Sequence, residues 1–277
     1  MLKRDCIFAK QGWYPADETA LRETIENYPK SSEKKKALGV LSPHAGYYFS
    51  GRCANMVYSS VEIPSRVLVL SVSHSEHFDY LPLYPAGSWI TPLGEIEIDE
   101  EMNAELLKLD FVRENAQAHS YEHSGELQLP FLKYYGADLK LSIINVGLAP
   151  LYLPGETPFE TIENFGQGLG NALQKFSEEV LIVASSDMSH ETPDARTRKQ
   201  DKYVREIIED YEPRELYDVL LKHRITMCGG IPALLMFEAT RVLGGKKAEI
   251  VEYYTSSDIT GEQFGRSVGY LGLRVVK

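Results

Sequence analysis

Short apolar runs alternate with longer stretches of helical periodicity along most of this chain, and that alternation restricts the fold more than any other feature. The runs Leu38–Leu41, Val67–Ser71, Leu139–Val146 and Val180–Ser185 read as strands buried on both faces. Residues 17–28, 50–60, 99–109, 124–134, 158–175, 196–210, 213–222 and 230–243 read as helices, and the first and third of them open on acidic residues. The segment TPLGEIEID at 91–99 alternates after a glycine and reads as a hairpin arm. Residues 248–255 and 267–275 read as late strands with no helix between them. Strands alternating with helices place the chain in the α/β class. The expected architecture is a single domain over 1–277, with a mixed, largely parallel central sheet flanked by helices. Segments 29–36 and 150–159 read as loops, and neither is long enough to mark a domain boundary.

In open α/β sheets, binding sites form where loops leave the C-terminal ends of the strands. The polar motifs of this chain fall there. One strand runs into Pro43-His44-Ala45-Gly46, a second into Ser73-His74, and a third into Ser186-Asp187-Met188-Ser189-His190. Any one of these histidines alone reads as a surface or capping residue, but three delivered at equivalent positions favour a shared cleft. His77 follows His74 by three and reads as a rim residue unless that stretch is helical. His123 and Glu126 share a helix face at i, i+3, with Ser124 as the expected cap. An imidazole beside a carboxylate suits acid–base work near neutral pH. Asp187 and His190 have the same spacing and can bind a metal or orient a ligand; Asp187 also fits a helix N-cap. Cys228 precedes Gly229-Gly230 at a helix start, where a thiol is expected to lose its proton more readily and backbone N–H groups can meet an anion. Cys6 and Cys53 read as small buried thiols.

Composition removes several function classes. The net charge is −11 and the one basic run, Lys34-Lys35-Lys36, reads as a solvated loop, so phosphate-driven nucleic-acid binding is not expected. Three widely spaced cysteines do not form a disulfide framework and fit a reducing, cytoplasmic compartment. The N-terminus lacks the apolar core of a signal peptide, and no run reaches the roughly 18 apolar residues of a membrane helix. HExxH, GxGxxG, Walker A and GxSxG patterns are absent.

The strings PHAGYYFSG at 43–51, VSH at 72–74, EHSGELQLPFL at 122–132, SSDMSH at 185–190 and CGGIP at 228–232, with the opening GWYPADETAL, together resemble the Memo family, whose microbial members include protein B of the AmmeMemoRadiSam system. The matches keep family order from about residue 9 to the C-terminus. The resemblance implies a fold similar to class III extradiol dioxygenases. It implies His44, His74 and Cys228 as metal ligands, with Asp187, His190, His123 and Glu126 as catalytic residues nearby. Iron or copper are the implied metals, with zinc as a further candidate. A thiolate in place of the dioxygenase carboxylate favours soft-metal chemistry and argues against ring cleavage. The expected activity is therefore a metal-dependent oxidoreductase acting on a small molecule in the cleft. The alternatives are a non-enzymatic module that holds a phosphorylated or carboxylated peptide, and a metal buffer with the same ligands.

Overall fold

Strands form where aliphatic residues run unbroken, and helices fill the intervals because each parallel strand pair needs a crossover. The computed structural model describes residues 2–136, 138–152, 157–176 and 180–277; the expected loop at 150–159 therefore lies partly outside the described residues. In chain order the first half comprises β1 (Lys3–Arg4), α1 (Ile7–Lys10), α2 (Glu18–Asn27), β2 (Gly39–Ser42), α3 (Tyr47–Ser59), β3 (Arg66–Val72) and β4 (Leu81–Leu83). It continues through β5 (Ser88–Thr91), β6 (Gly94–Glu97), α4 (Glu100–Leu106), β7 (Val112–Glu114), α5 (His123–Glu126), α6 (Leu129–Tyr135) and β8 (Lys140–Val146). The second half comprises α7 (Phe159–Leu173), β9 (Val180–Ser185), β10 (His190–Glu191), α8 (Asp194–Arg205) and α9 (Pro213–His223). It closes with α10 (Gly230–Val242), β11 (Lys247–Thr255), α11 (Ser256–Thr260) and β12 (Ser267–Val276).

Among the described residues the main sheet runs in the order β10-β12-β2-β9-β3-β8-β4-β7, with β11 paired to β12. The centre is parallel: β2 pairs with β9, β9 with β3, and β3 with β8. The flanks are antiparallel, β12 against β2 on one side and β4 against β8 on the other. This is the mixed α/β sheet that the sequence predicts, parallel at its centre and antiparallel toward its flanks.

Alternate residues of the same strands feed two cores. Leu41, Leu68, Leu70, Ile182 and Ala184 pack on the face covered by α7 and α10. Val40, Val67, Val69, Leu181 and Val183 pack on the other, under α3 and α6. Full burial of each such side chain contributes roughly 1.5–3 kcal/mol, so the central strands are the rigid frame of the molecule.

Three differences from the sequence reading have local causes. The expected helix 124–134 is split into α5 and α6, with Pro130, which has no N–H to donate, in the first turn of α6. The segment 91–99 does form a hairpin, β5 with β6, but it belongs to a separate three-stranded sheet with β1. The late strands are separated by the short helix α11, held by a capping box between Thr255 and Asp258. No helix among the described residues is long and apolar enough to cross a membrane.

Candidate metal centre

The parallel strands β2, β3 and β9 all end at the same edge of the sheet. Their following residues bring His44, His74 and Asp187 together, and the loop before α10 adds Cys228. One ligand atom from each of His44, His74 and Cys228 lies within 4.8 Å of the others. The His44 and His74 rings meet edge to face at 5.3 Å between centroids, and the Cys228 Sγ sits 3.3 Å from His44 Nε2.

His44 is buried, 2% exposed, and its backbone N–H donates to Asp187 Oδ1 at 2.8 Å. Its Nδ1 lies 2.9 Å from Ser185 Oγ on β9. Burial drives its pKa well below the usual imidazole value, helped by the nearby His74, so the ring is neutral. His74 is more open and differently held. Its backbone N–H donates to Glu122 Oε2 at 3.0 Å, and its Nδ1 lies 3.0 and 3.1 Å from the two oxygens of the same carboxylate. That grip occupies Nδ1 and leaves Nε2 as the nitrogen available to a ligand, on a ring that lines the cleft. Burial by itself would lower the His74 pKa; the hydrogen bond and charge of Glu122 outweigh it and raise the value. Burial likewise opposes ionisation of Glu122, but the bond to His74 prevails and the carboxyl falls to about 2. Glu122 also caps α5 by accepting from Ser124 N at 2.8 Å. The expected cap, Ser124, instead bridges to the backbone N–H and carbonyl of Val72.

Cys228 is placed by a close approach. A Cβ at Gly229 would lie 2.3 Å from the Ser185 carbonyl oxygen and 2.5 Å from Ser186 Cβ, so only glycine lets the start of α10 reach the end of β9. The Gly229 N–H is taken by Ser186 Oγ at 3.0 Å. The Gly230 N–H goes to the Met227 carbonyl at 3.3 Å, so both glycine N–H groups that the sequence offered to an anion are already engaged. The expected lowering of the Cys228 pKa is also reversed. Burial pushes the thiol up, and the neighbouring Asp187 adds to it. Without a cation beside it, Cys228 is a neutral thiol; its sulfur accepts from the Asp187 N–H at 3.3 Å.

The remaining predicted residues divide. Asp187 and His190 both line the open cleft with His44, His74 and His123. Asp187 is buried and its pKa is raised by that burial, against the opposing charge of His190. The His190 N–H donates to Thr226 Oγ1 at 2.8 Å, and Nδ1 faces the Thr226 carbonyl at 3.0 Å, which leaves Nε2 for another partner. His123 stacks on His74 at 4.4 Å between centroids. Burial lowers its pKa to about 3, so it is a fixed neutral ring and not a base poised near neutrality. Glu126 is not brought into the cleft. Its carboxylate pairs with buried Arg4 at 2.8 Å and accepts from Phe8 N at 2.8 Å and Tyr14 OH at 2.9 Å. One turn of a helix separates His123 from Glu126, yet the N-terminal segment packs between them. Glu126 ties that segment down, while Arg4 also donates to the Glu122 carbonyl at 3.2 Å.

The cleft has a volume of about 570 Å³ and apolar walls that include Phe49, Val268 and Tyr270, with Arg266 on its lining. Two imidazole nitrogens and one sulfur form a mixed borderline and soft donor set, which suits iron, copper or zinc and does not suit magnesium or calcium. Sequence reading missed Glu122, although it stands next to His123. Its one signal was a carboxylate inside a His-rich string, and nothing in the spacing pointed it at His74, 48 positions away.

Known proteins match this chain along nearly its whole length. A family model described as Memo-like protein matches residues 9–274. A MEMO1 family protein of Aquifex aeolicus is 37% identical over 266 residues, covering 94% of this chain and 95% of the relative. One from Saccharolobus solfataricus is 34% identical over 280 residues, covering 95% of each. Among solved structures, an uncharacterised protein from Escherichia coli K12 superimposes with a TM-score of 0.57 at 15% identity, covering 87% of this chain and all of that one, a likeness of fold alone.

Proposed function

The chain belongs to the Memo-like family, and from that premise we propose that it holds one redox-active transition-metal ion, iron or copper, through His44, His74 and Cys228 and uses it in a redox reaction at the open cleft. The observation that carries this reading is the convergence of three ligand atoms from distant segments within 4.8 Å. A bound ion would supply Lewis acidity and electron transfer to a small molecule at an open coordination position.

The protein's own groups divide the remaining work. Glu122 holds His74 by its Nδ1 and so fixes the direction of Nε2. Asp187 sets the backbone at His44 and lies against Cys228, which keeps two donors in register. His123 and His190 line the cleft as neighbours able to hydrogen-bond a bound molecule. The apolar walls limit water at the reacting face. Zinc suits the same donors but carries no redox chemistry.

The test is purification under anaerobic conditions, elemental analysis, and oxygen uptake with added reductant. Close to one iron or copper per chain is expected, with reductant-dependent oxygen uptake that Cys228→Ala removes. Stoichiometric metal with no turnover on any reductant would leave a metal buffer and eliminate the redox role.

A second reading is a module that binds a carboxylated or phosphorylated peptide. It draws on Arg266, a cation lining the cleft of an otherwise acidic protein. Titration of such peptides against wild type, His44→Ala and Arg266→Ala tests it; equal affinity in all three would place recognition elsewhere.

A further inference from the structure

Behind His44 lies a buried chain of polar groups whose proton positions can be worked out from its fixed ends. Ser185 Oγ sits at the junction. It is 2.8 Å from the Ser124 carbonyl, 2.8 Å from Gln128 Nε2 and 2.9 Å from His44 Nδ1. A carbonyl can only accept, so the single Ser185 hydroxyl proton goes to Ser124 O. The orientation of Gln128 is set in the same way. Its Nε2 is 3.0 Å from the Pro43 carbonyl, which demands a donor, and its Oε1 receives the Tyr58 hydroxyl at 2.7 Å. The Gln128 amide therefore donates to Ser185, and the hydroxyl has one lone pair left. All of these groups are buried, where polar atoms are expected to be paired.

We propose that Ser185, held by Gln128 and the Ser124 carbonyl, is a positioning residue that fixes the proton of His44 on Nδ1 and leaves Nε2 bare toward Cys228. This deepens the metal-centre reading and rests on it for its purpose, but the proton assignment stands without any ion. His74 reaches the same end by another route, a carboxylate at its Nδ1. The two histidines are thus unlike: His44 is held by neutral dipoles, and His74 by a charge.

The test uses metal-free protein carrying ¹⁵N-labelled histidine. Long-range ¹H–¹⁵N correlation spectra report which ring nitrogen of His44 bears the proton. In wild type at neutral pH the proton is expected on Nδ1. In Ser185→Ala, whose methyl cannot accept, the population is expected to move to Nε2–H, and affinity for added Zn²⁺ to fall about 10–100-fold. Ser185→Thr, which keeps the hydroxyl, is expected to restore both. An Nε2–H tautomer in wild type, or one unmoved by loss of the hydroxyl, would overturn the proposal. The wild-type spectrum decides even if a variant fails to fold. An Nδ1–H ring in a protein that binds no metal would support the tautomer assignment and count against the metal-centre reading alone.

Discussion

At the scale of single residues, the site depends on what stands behind each ligand. His74 carries its Nδ1 proton against Glu122, and Cys228 keeps its thiol proton because burial disfavours the thiolate. A metal ion must displace the proton from Cys228 and, where His74 is charged, one from His74. Affinity is therefore expected to rise with pH throughout, most steeply below the His74 pKa, which is raised above the 6.5 reference value, and less steeply above it, where only the Cys228 proton is left to displace. Calorimetry of Zn²⁺ binding in buffers of different ionisation enthalpy checks this. More than one proton released per ion at pH 6.5 is the expected result, and a buffer-independent enthalpy is the contrary one. Glu122→Gln keeps the shape but removes the charge and replaces one acceptor oxygen by a donor, so the hold on His74 weakens. A fall of about 10–100-fold in metal affinity is expected, measured by chelator competition, with little change in fold.

At the scale of elements, ligand placement depends on how closely α10 meets β9. Gly229→Ala would drive a methyl into the Ser185 carbonyl and Ser186. A loss of about 1–3 kcal/mol in urea denaturation is expected, together with weaker metal binding, because the helix start must withdraw and take Cys228 with it. The central strands were legible in the sequence because each is an unbroken aliphatic run, and the rule that sites sit at strand C-termini located His44, His74 and Asp187. The short flanking strands were not. β4 is three residues long with Pro82 at its centre, β7 carries Arg113 and Glu114, and β10 is a pair of polar residues; β4 and β10 exist by pairing with the longer β8 and β12, and β7 by pairing with β4. Helical spacing also misled: His123 and Glu126 share a face in principle, but the N-terminal segment inserts against that face and claims Glu126 for Arg4 and Tyr14. Only tertiary contact reveals such a claim. The same holds for Cys228, whose position at a helix start suggested a reactive thiol until its burial was known.

At the scale of the whole molecule, buried neutral histidines set the response to acid. His119, deep beside Tyr84 and Trp89, has its pKa lowered to about 3, chiefly by burial. The folded pKa lies below the unfolded value near 6.5, so the stability this group permits is complete above 6.5 and is lost as pH falls toward 3. At pH 5 the cost is about 2 kcal/mol for this residue. His119→Phe is expected to lose that much less stability than wild type between pH 8 and pH 5, measured on metal-free protein by urea unfolding at each pH. Equal losses would show that His119 takes up its proton while folded. His44 and His123 act in the same direction.

Anomalous scattering at the iron and copper absorption edges, from crystals grown with each metal, identifies an ion and its neighbours together. One peak is expected, within bonding distance of His44 Nε2, His74 Nε2 and Cys228 Sγ, and absent in Cys228→Ala. A peak elsewhere, or none at either edge with both metals supplied, would contradict a metal centre built from these three side chains.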